Sequence, residues 1–98
     1  MKAKEALRFL GGSETAKSYS KELSDKYGIS VEIVPHINEE EPADNFLNVV
    51  FEYPCGQYMA FEDAKVELCR FFASRGLDIS FECVGEAWDG TVMSYRVV

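Results

Sequence analysis

Phe46-Leu47-Asn48-Val49-Val50-Phe51-Glu52-Tyr53 alternates large apolar side chains with others that are smaller or polar. Side chains along a strand point to opposite faces with a period of two. Leu47, Val49, Phe51 and Tyr53 therefore share one face, and residues 46–53 read as a strand that covers a core. Upstream, Ile29, Val31 and Ile33 alternate with Ser30, Glu32 and Val34, which predicts a partner strand over 29–37. Pro35 has no N–H for the ladder and predicts an edge position or a strand end. Between the two strands, 38–45 is acidic and holds Pro42, which reads as the loop of a hairpin.

Downstream, Pro54-Cys55-Gly56 is a turn, and Phe61, Ala64, Leu68, Phe71 and Phe72 fall on one side of a helix over about 60–75, capped by Gly76. Residues 78–84 alternate again, with Ile79, Phe81 and Cys83 inward. A loop follows with a turn signal at Asp89-Gly90, and a last strand from about Thr91 to Val98 turns Met93, Tyr95 and Val97 inward. At the N-terminus, Ala3, Ala6, Leu7 and Leu10 predict a helix over 2–10 that ends at Gly11-Gly12. Ser13 is placed to cap a second helix, 14–27, whose stripe is Ala16, Tyr19, Leu23 and Tyr27. The expectation is one α+β domain over 1–98, in the order α-α-β-β-α-β-β. A helical part, 1–28, precedes a ββαββ body, 29–98, whose four-stranded antiparallel sheet packs on one central helix. The last strand is a candidate edge, which leaves a homodimer open.

The chain has 98 residues, 47% of them hydrophobic, which suffices for one core. No apolar run approaches the roughly 20 residues of a membrane helix, and no apolar signal region follows the N-terminal charges. Together with three evenly spaced cysteines, Cys55, Cys69 and Cys83, that fit neither a disulfide framework nor a zinc pattern, this points to a cytoplasmic protein.

The net charge of −7 is unevenly spread. Through Lys26, six cations face four acids; beyond it, four cations face thirteen acids. No Lys or Arg lies between Gly28 and Ala64, nor between Gly76 and Tyr95. Direct binding to nucleic acid or to an anionic membrane is disfavoured, since both need basic side chains.

Inward Ile33, Phe51 and Phe81 imply an opposite sheet face with Glu32, Asn48, Val50, Glu52, Asp78, Ser80, Glu82, Val92, Ser94 and Arg96. Its acids would fall on a grid of about 4.8 Å across strands and 6.8 Å along them. With Glu39, Glu40, Glu41 and Asp44 of the loop, and Glu86 and Asp89 beyond, that face is either a solvated surface or a dock for a basic protein groove, its acids standing in for phosphates. Trp88, between acids in a loop, reads as an interface anchor or as a plug for the end of the core.

Enzymatic readings fare poorly. His36 and Cys55 are the one pair suited to a thiol–imidazole dyad, but the hairpin puts them at opposite ends, roughly 25 Å apart at 3.3 Å per residue, where a base needs hydrogen-bond reach. The acidic run lacks the ligand spacing of a calcium loop, and Gly11-Gly12-Ser13 lacks the strand and lysine of a phosphate loop. No cofactor or metal is expected. The function expected is a non-enzymatic acidic module that binds a protein partner with a basic surface. In composition alone it resembles small acidic phage and mobile-element proteins that block host defences, anti-CRISPR proteins among them. The alternatives are a structural subunit or homodimer paired through a sheet edge, and a small-molecule-binding domain with Tyr53, Tyr58 and Tyr95 around a pocket.

Overall fold

The computed structural model describes residues 2–36, 40–41, 45–89 and 91–98, without the side chains of Lys2, Ala3 and Ser13. The chain runs α1 (Lys2–Phe9), α2 (Ser13–Tyr27), β1 (Ser30–His36), β2 (Phe46–Glu52), α3 (Tyr58–Ala73), β3 (Phe81–Glu86) and β4 (Val92–Val97). All four strands form one antiparallel sheet in the order β1-β2-β4-β3.

The alternation in β2 sets the layers. Leu47, Val49 and Phe51 are wholly buried, while Phe46, Asn48 and Val50 on the other face are half-buried and Glu52 is exposed. The register places Val31 opposite Phe51 and Ile33 opposite Val49 on β1, and Met93 and Tyr95 opposite the same two residues on β4. Onto this covered face α1 brings Ala6 and Leu10, α2 brings Ala16 and Leu23, and α3 brings Phe61, Ala64, Leu68 and Phe72. The covering is shared: α2 lies against β1 and α1 against β2. From α3, Phe61 meets the rings of Phe51, Tyr53 and Tyr95. No helix of the described residues covers the opposite face.

Several sequence expectations change. The N-cap of α2 is Gly12, at φ 107°, and no side chain caps that end. The last turn of α3 closes through Ser74, and the chain then turns at Gly76, φ 83°, with Leu77 N–H donating to the Phe72 carbonyl at 3.1 Å. Strand β3 starts later than expected: residues 78–80 precede it, although Ser80 and Val98 exchange both backbone hydrogen bonds. A bulge between Cys83 and Gly85 shifts the register against β4. Cys83, expected inward, is exposed: it lies on β3, an edge strand, and is not among the residues that line the groove between α3 and the start of that strand. Strand β4, the candidate edge, is central between β2 and β3.

The true edges are β1 and β3, and they differ. On β1 the groups that face away from β2 belong to Val31, Ile33 and Pro35, because the even-numbered residues pair inward. Helix α2 meets them with two serines. Ser24 Oγ accepts the Val31 N–H at 2.8 Å, and Ser20 Oγ accepts the Ile33 N–H at 3.1 Å. The same hydroxyls donate one turn back along the helix, Ser24 to the Ser20 carbonyl at 2.7 Å and Ser20 to the Ala16 carbonyl at 2.9 Å. Pro35 has no N–H to satisfy. The β1 edge is thus sealed by side chains and an imino acid. A second seam ties α2 to α3. Tyr27 donates to Glu67 at 2.9 Å, Lys26 pairs with the same carboxylate, and the rings of Tyr19 and Phe71 lie 4.5 Å apart.

Candidate functional site

The open sheet face carries what period two requires. One row crosses the sheet as Ser30, Glu52 and Val92; the next as Glu32, Val50 and Ser94; the next as Val34, Asn48, Arg96 and Glu82. Glu32, Glu52 and Glu82 are all exposed, and none lies beneath α1 or α2. The face is less acidic than a phosphate-like grid. Val34, Val50 and Val92 lie among the acids, and the Arg96 guanidinium sits 4.8 Å from the Phe46 ring centre instead of on Glu82. His36, the cross-strand partner of Phe46 in the next row, stacks on the same ring at 4.6 Å. The Asn48 side-chain oxygen is buried in the middle of the face with no partner among the described residues.

The remaining predicted site residues go elsewhere. Asp78 is not on the open face; it precedes β3 and lines a groove against α3. Glu86 and Asp89 line a cleft at the opposite end of β3. Glu40 and Glu41 are exposed in the β1–β2 connection, and Glu39 and Asp44 lie outside the described residues. Trp88 is 98% exposed, so its ring plugs no part of the core. His36 pairs across the sheet with Phe46, whereas Cys55 follows Glu52, the partner of Ser30, so the two stand at opposite ends of the hairpin.

The cleft gathers residues that the sequence scattered. It encloses about 490 Å³ between the end of the sheet and the start of α3. Tyr53 stacks on Phe61 at 4.7 Å, Tyr58 approaches Phe61 at 5.7 Å, and Tyr95 stacks beyond it at 6.2 Å. Tyr53, Tyr58 and Tyr95, which the small-molecule alternative set around a pocket, line one together. Three carboxylates, Glu62, Glu86 and Asp89, open into the same space. The turn at its mouth is fixed by Asp89, whose Oδ1 accepts from the Thr91 N–H at 3.1 Å and the Thr91 hydroxyl at 2.8 Å. Those bonds hold the Asp89 carboxyl below the usual range.

The charge of the cleft shows in its tyrosines. Burial and then Glu62 push the Tyr53 hydroxyl up. A hydrogen bond with Glu62 does the same to Tyr58. For Tyr95 burial is the main cause, followed by Cys83 and Glu62. The cation present is Lys65. Its Nζ lies 4.9 Å from the Phe61 ring centre, 5.0 Å from that of Tyr95, and 3.3 Å from Glu62 Oε1. The chain thus places one of its own ammonium groups where aromatic faces and a carboxylate attract a cation. Glu62, Lys65 and Phe61 were not read as site residues. Their signal was one turn of α3 that puts an acid and a base beside a ring.

No family model matches the chain, and no curated protein or solved structure matches it either. Among the described residues there is no cluster of His, Cys, Asp or Glu suited to a metal ion, and no helix long and apolar enough to cross a membrane.

Proposed function

We propose that the protein is a non-enzymatic module that binds a protein partner with a basic surface. The observation that carries this reading is the cleft, where four aromatic rings and three carboxylates converge on one opening. Exposed apolar side chains stand beside it, namely Tyr58 in its wall, Met59 next along α3, and Trp88 in the turn that supplies Asp89. Aromatic and sulfur-bearing side chains supply rigid, apolar contact area at interfaces, and carboxylates beside rings favour a lysine or arginine tip. The acidic open face, with Glu32, Glu52 and Glu82, extends the same polarity across the sheet. In its finer form the partner is a nucleic-acid-binding protein that the acids block.

The test is capture from a lysate of the natural source at about 0.15 M and about 1 M salt, where the screening length falls from about 8 Å to about 3 Å. It is run with Glu62→Gln/Glu86→Gln, with Trp88→Ala, and with charge reversal of Glu32, Glu52 and Glu82. A basic protein lost on changing the cleft supports the reading. Retention by every variant removes it. A second reading rests on the same cleft, whose volume falls within the range of small-molecule sites; thermal stabilisation by an organic cation, with no protein captured, would favour that one.

A further inference from the structure

The two edges of the sheet are treated differently, and the difference points to a binding mode. On β3, Ser80 exchanges both backbone hydrogen bonds with Val98, so in an antiparallel ladder Glu82 also faces β4, and the N–H and C=O of Phe81 and Cys83 face outward. No described residue pairs with that edge. Beside it, on the covered side of the sheet, runs a groove of about 250 Å³ between β3 and α3. Val66, Cys69 and Ala73 of the helix, Phe81 of the strand and Ile79 just before it make its walls, with Lys65 and Arg70 on the helical rim and Asp78 on the side of the strand.

We propose that this edge accepts an extended segment of the basic partner as a fifth strand. Main-chain hydrogen bonds to Phe81 and Cys83 supply the attachment, and alternate side chains supply the selection. The side chain that turns toward α3 enters the groove and is apolar, because five apolar side chains make its walls and a charged group buried among them would lose its hydration. Its neighbour turns to the open face beside Glu82, which has no ion pair among the described residues because Arg96, its cross-strand partner, lies against the Phe46 ring. That neighbour is basic. The occupant is therefore a strand of alternating apolar and basic residues. A second copy of the chain fits worse. Two-fold pairing with Phe81 against Cys83 sets the two Glu82 side chains directly opposite, and like charges so placed destabilise a sheet.

The inference rests on the reading of a basic protein partner, and its test separates the two. The probe is a short blocked peptide of alternating valine and lysine, measured by calorimetry. One comparison peptide carries N-methyl groups on alternate amides, which keeps its charge and side chains and removes its ladder donors. Cys83→Pro, the counterpart of Pro35 on β1, removes an outward N–H at a position that does not itself line the cleft. The inference expects saturable binding that weakens by about ten-fold or more with either change, as expected when one or two hydrogen bonds are lost in a partly apolar setting. Equal binding of the methylated peptide, or no binding of the parent, overturns it. So does a dimer in solution that Cys83→Pro dissociates. Should Cys83→Pro not fold, the methylated peptide still decides. A lysate partner that depends on the cleft yet ignores Cys83→Pro sinks the strand and spares the cleft.

Discussion

The seal on β1 yields the sharpest stability prediction. Ser20→Ala/Ser24→Ala removes both hydroxyls that meet the β1 edge. Each replacement leaves a strand N–H, that of Val31 or Ile33, without an acceptor beneath α2. A polar group so stranded costs about 1–3 kcal/mol. Alanine regains about 0.5 kcal/mol per position through better helix propensity. The two sites share one helix and one strand, so their effects overlap, and a net loss of about 1.5–4 kcal/mol is expected. A domain of this size has about 5–15 kcal/mol in total. Each kcal/mol lowers its melting temperature by about 4–8 °C, so the double variant should melt about 6–30 °C below the parent.

Urea unfolding monitored by circular dichroism measures that loss, and amide hydrogen exchange locates it. Val31 and Ile33 should lose protection while Val49 and Tyr95, in the two central strands, keep theirs. Ser18→Ala is the control, on the same helix but exposed; it should be neutral or slightly stabilising. If the double variant proves as stable as Ser18→Ala, the serines do not seal the edge and the contrast between β1 and β3 has no energetic basis.

Other expectations follow from burial and charge. Phe61→Ala should cost about 3–5 kcal/mol, since the ring is buried against Phe51, Tyr53 and Tyr95, and urea titration reads the loss directly. Trp88→Ala should shift stability by no more than about 0.5 kcal/mol, and acrylamide should quench the single tryptophan of the native protein as fully as that of the unfolded chain. Glu67 is held below the usual carboxylate range, chiefly by its bond from Lys26 and also by Tyr27. Its contribution is therefore complete above the unfolded pKa, about 4.3, and is lost as pH falls through the lower folded value. The stability gap between the parent and Glu67→Gln should be flat at neutral pH and close only in acid. Cys55 and Cys83 are exposed, whereas Cys69 is half-buried and its thiol is pushed up, mainly by burial; a thiol reagent at neutral pH should label the first two quickly and Cys69 slowly.

Local periodicity was readable because each position reports its own environment. Leu47, Val49 and Phe51 alternate with no interruption, and the structure buries all three completely. Pro35 marked an edge, and β1 is one. The polar side of the sheet also followed, since Glu32, Glu52 and Glu82 stand where period two places them. Strand order was not readable, because nothing local to Val92–Val97 says that β2 pairs with it after α3 and β3 intervene. Ile79, Phe81 and Cys83 misled for a related reason: the alternation is real, but the bulge at Gly85 and the outer position of β3 leave its last member exposed. Ser20 and Ser24 were legible in principle. They sit four apart beside Ala16, Leu23 and Tyr27, on the stripe of α2 that a core helix keeps apolar. Two hydroxyls there call for a buried acceptor role, and the β1 backbone provides it.

An open strand edge invites pairing with any extended chain, and proteins commonly blunt it with lysine, proline or a bulge. On β1 the chain uses proline and serine hydroxyls and leaves little for a partner to grip. On β3 it uses a bulge and acids: the ladder is interrupted at Cys83 and Gly85, Glu82 guards the open face, and Asp78 and Glu86 flank it. Negative charge repels a second copy as well as lysine would, since the chain as a whole carries −7. It differs from lysine in what it admits. An edge guarded by lysine turns away basic strands, whereas one guarded by glutamate turns away copies of itself and draws basic strands in. On the proposed reading, the acids that would oppose self-pairing at β3 would also favour a basic strand there, and Glu86, in the wall of the cleft at the far end of the strand, would favour the same partner.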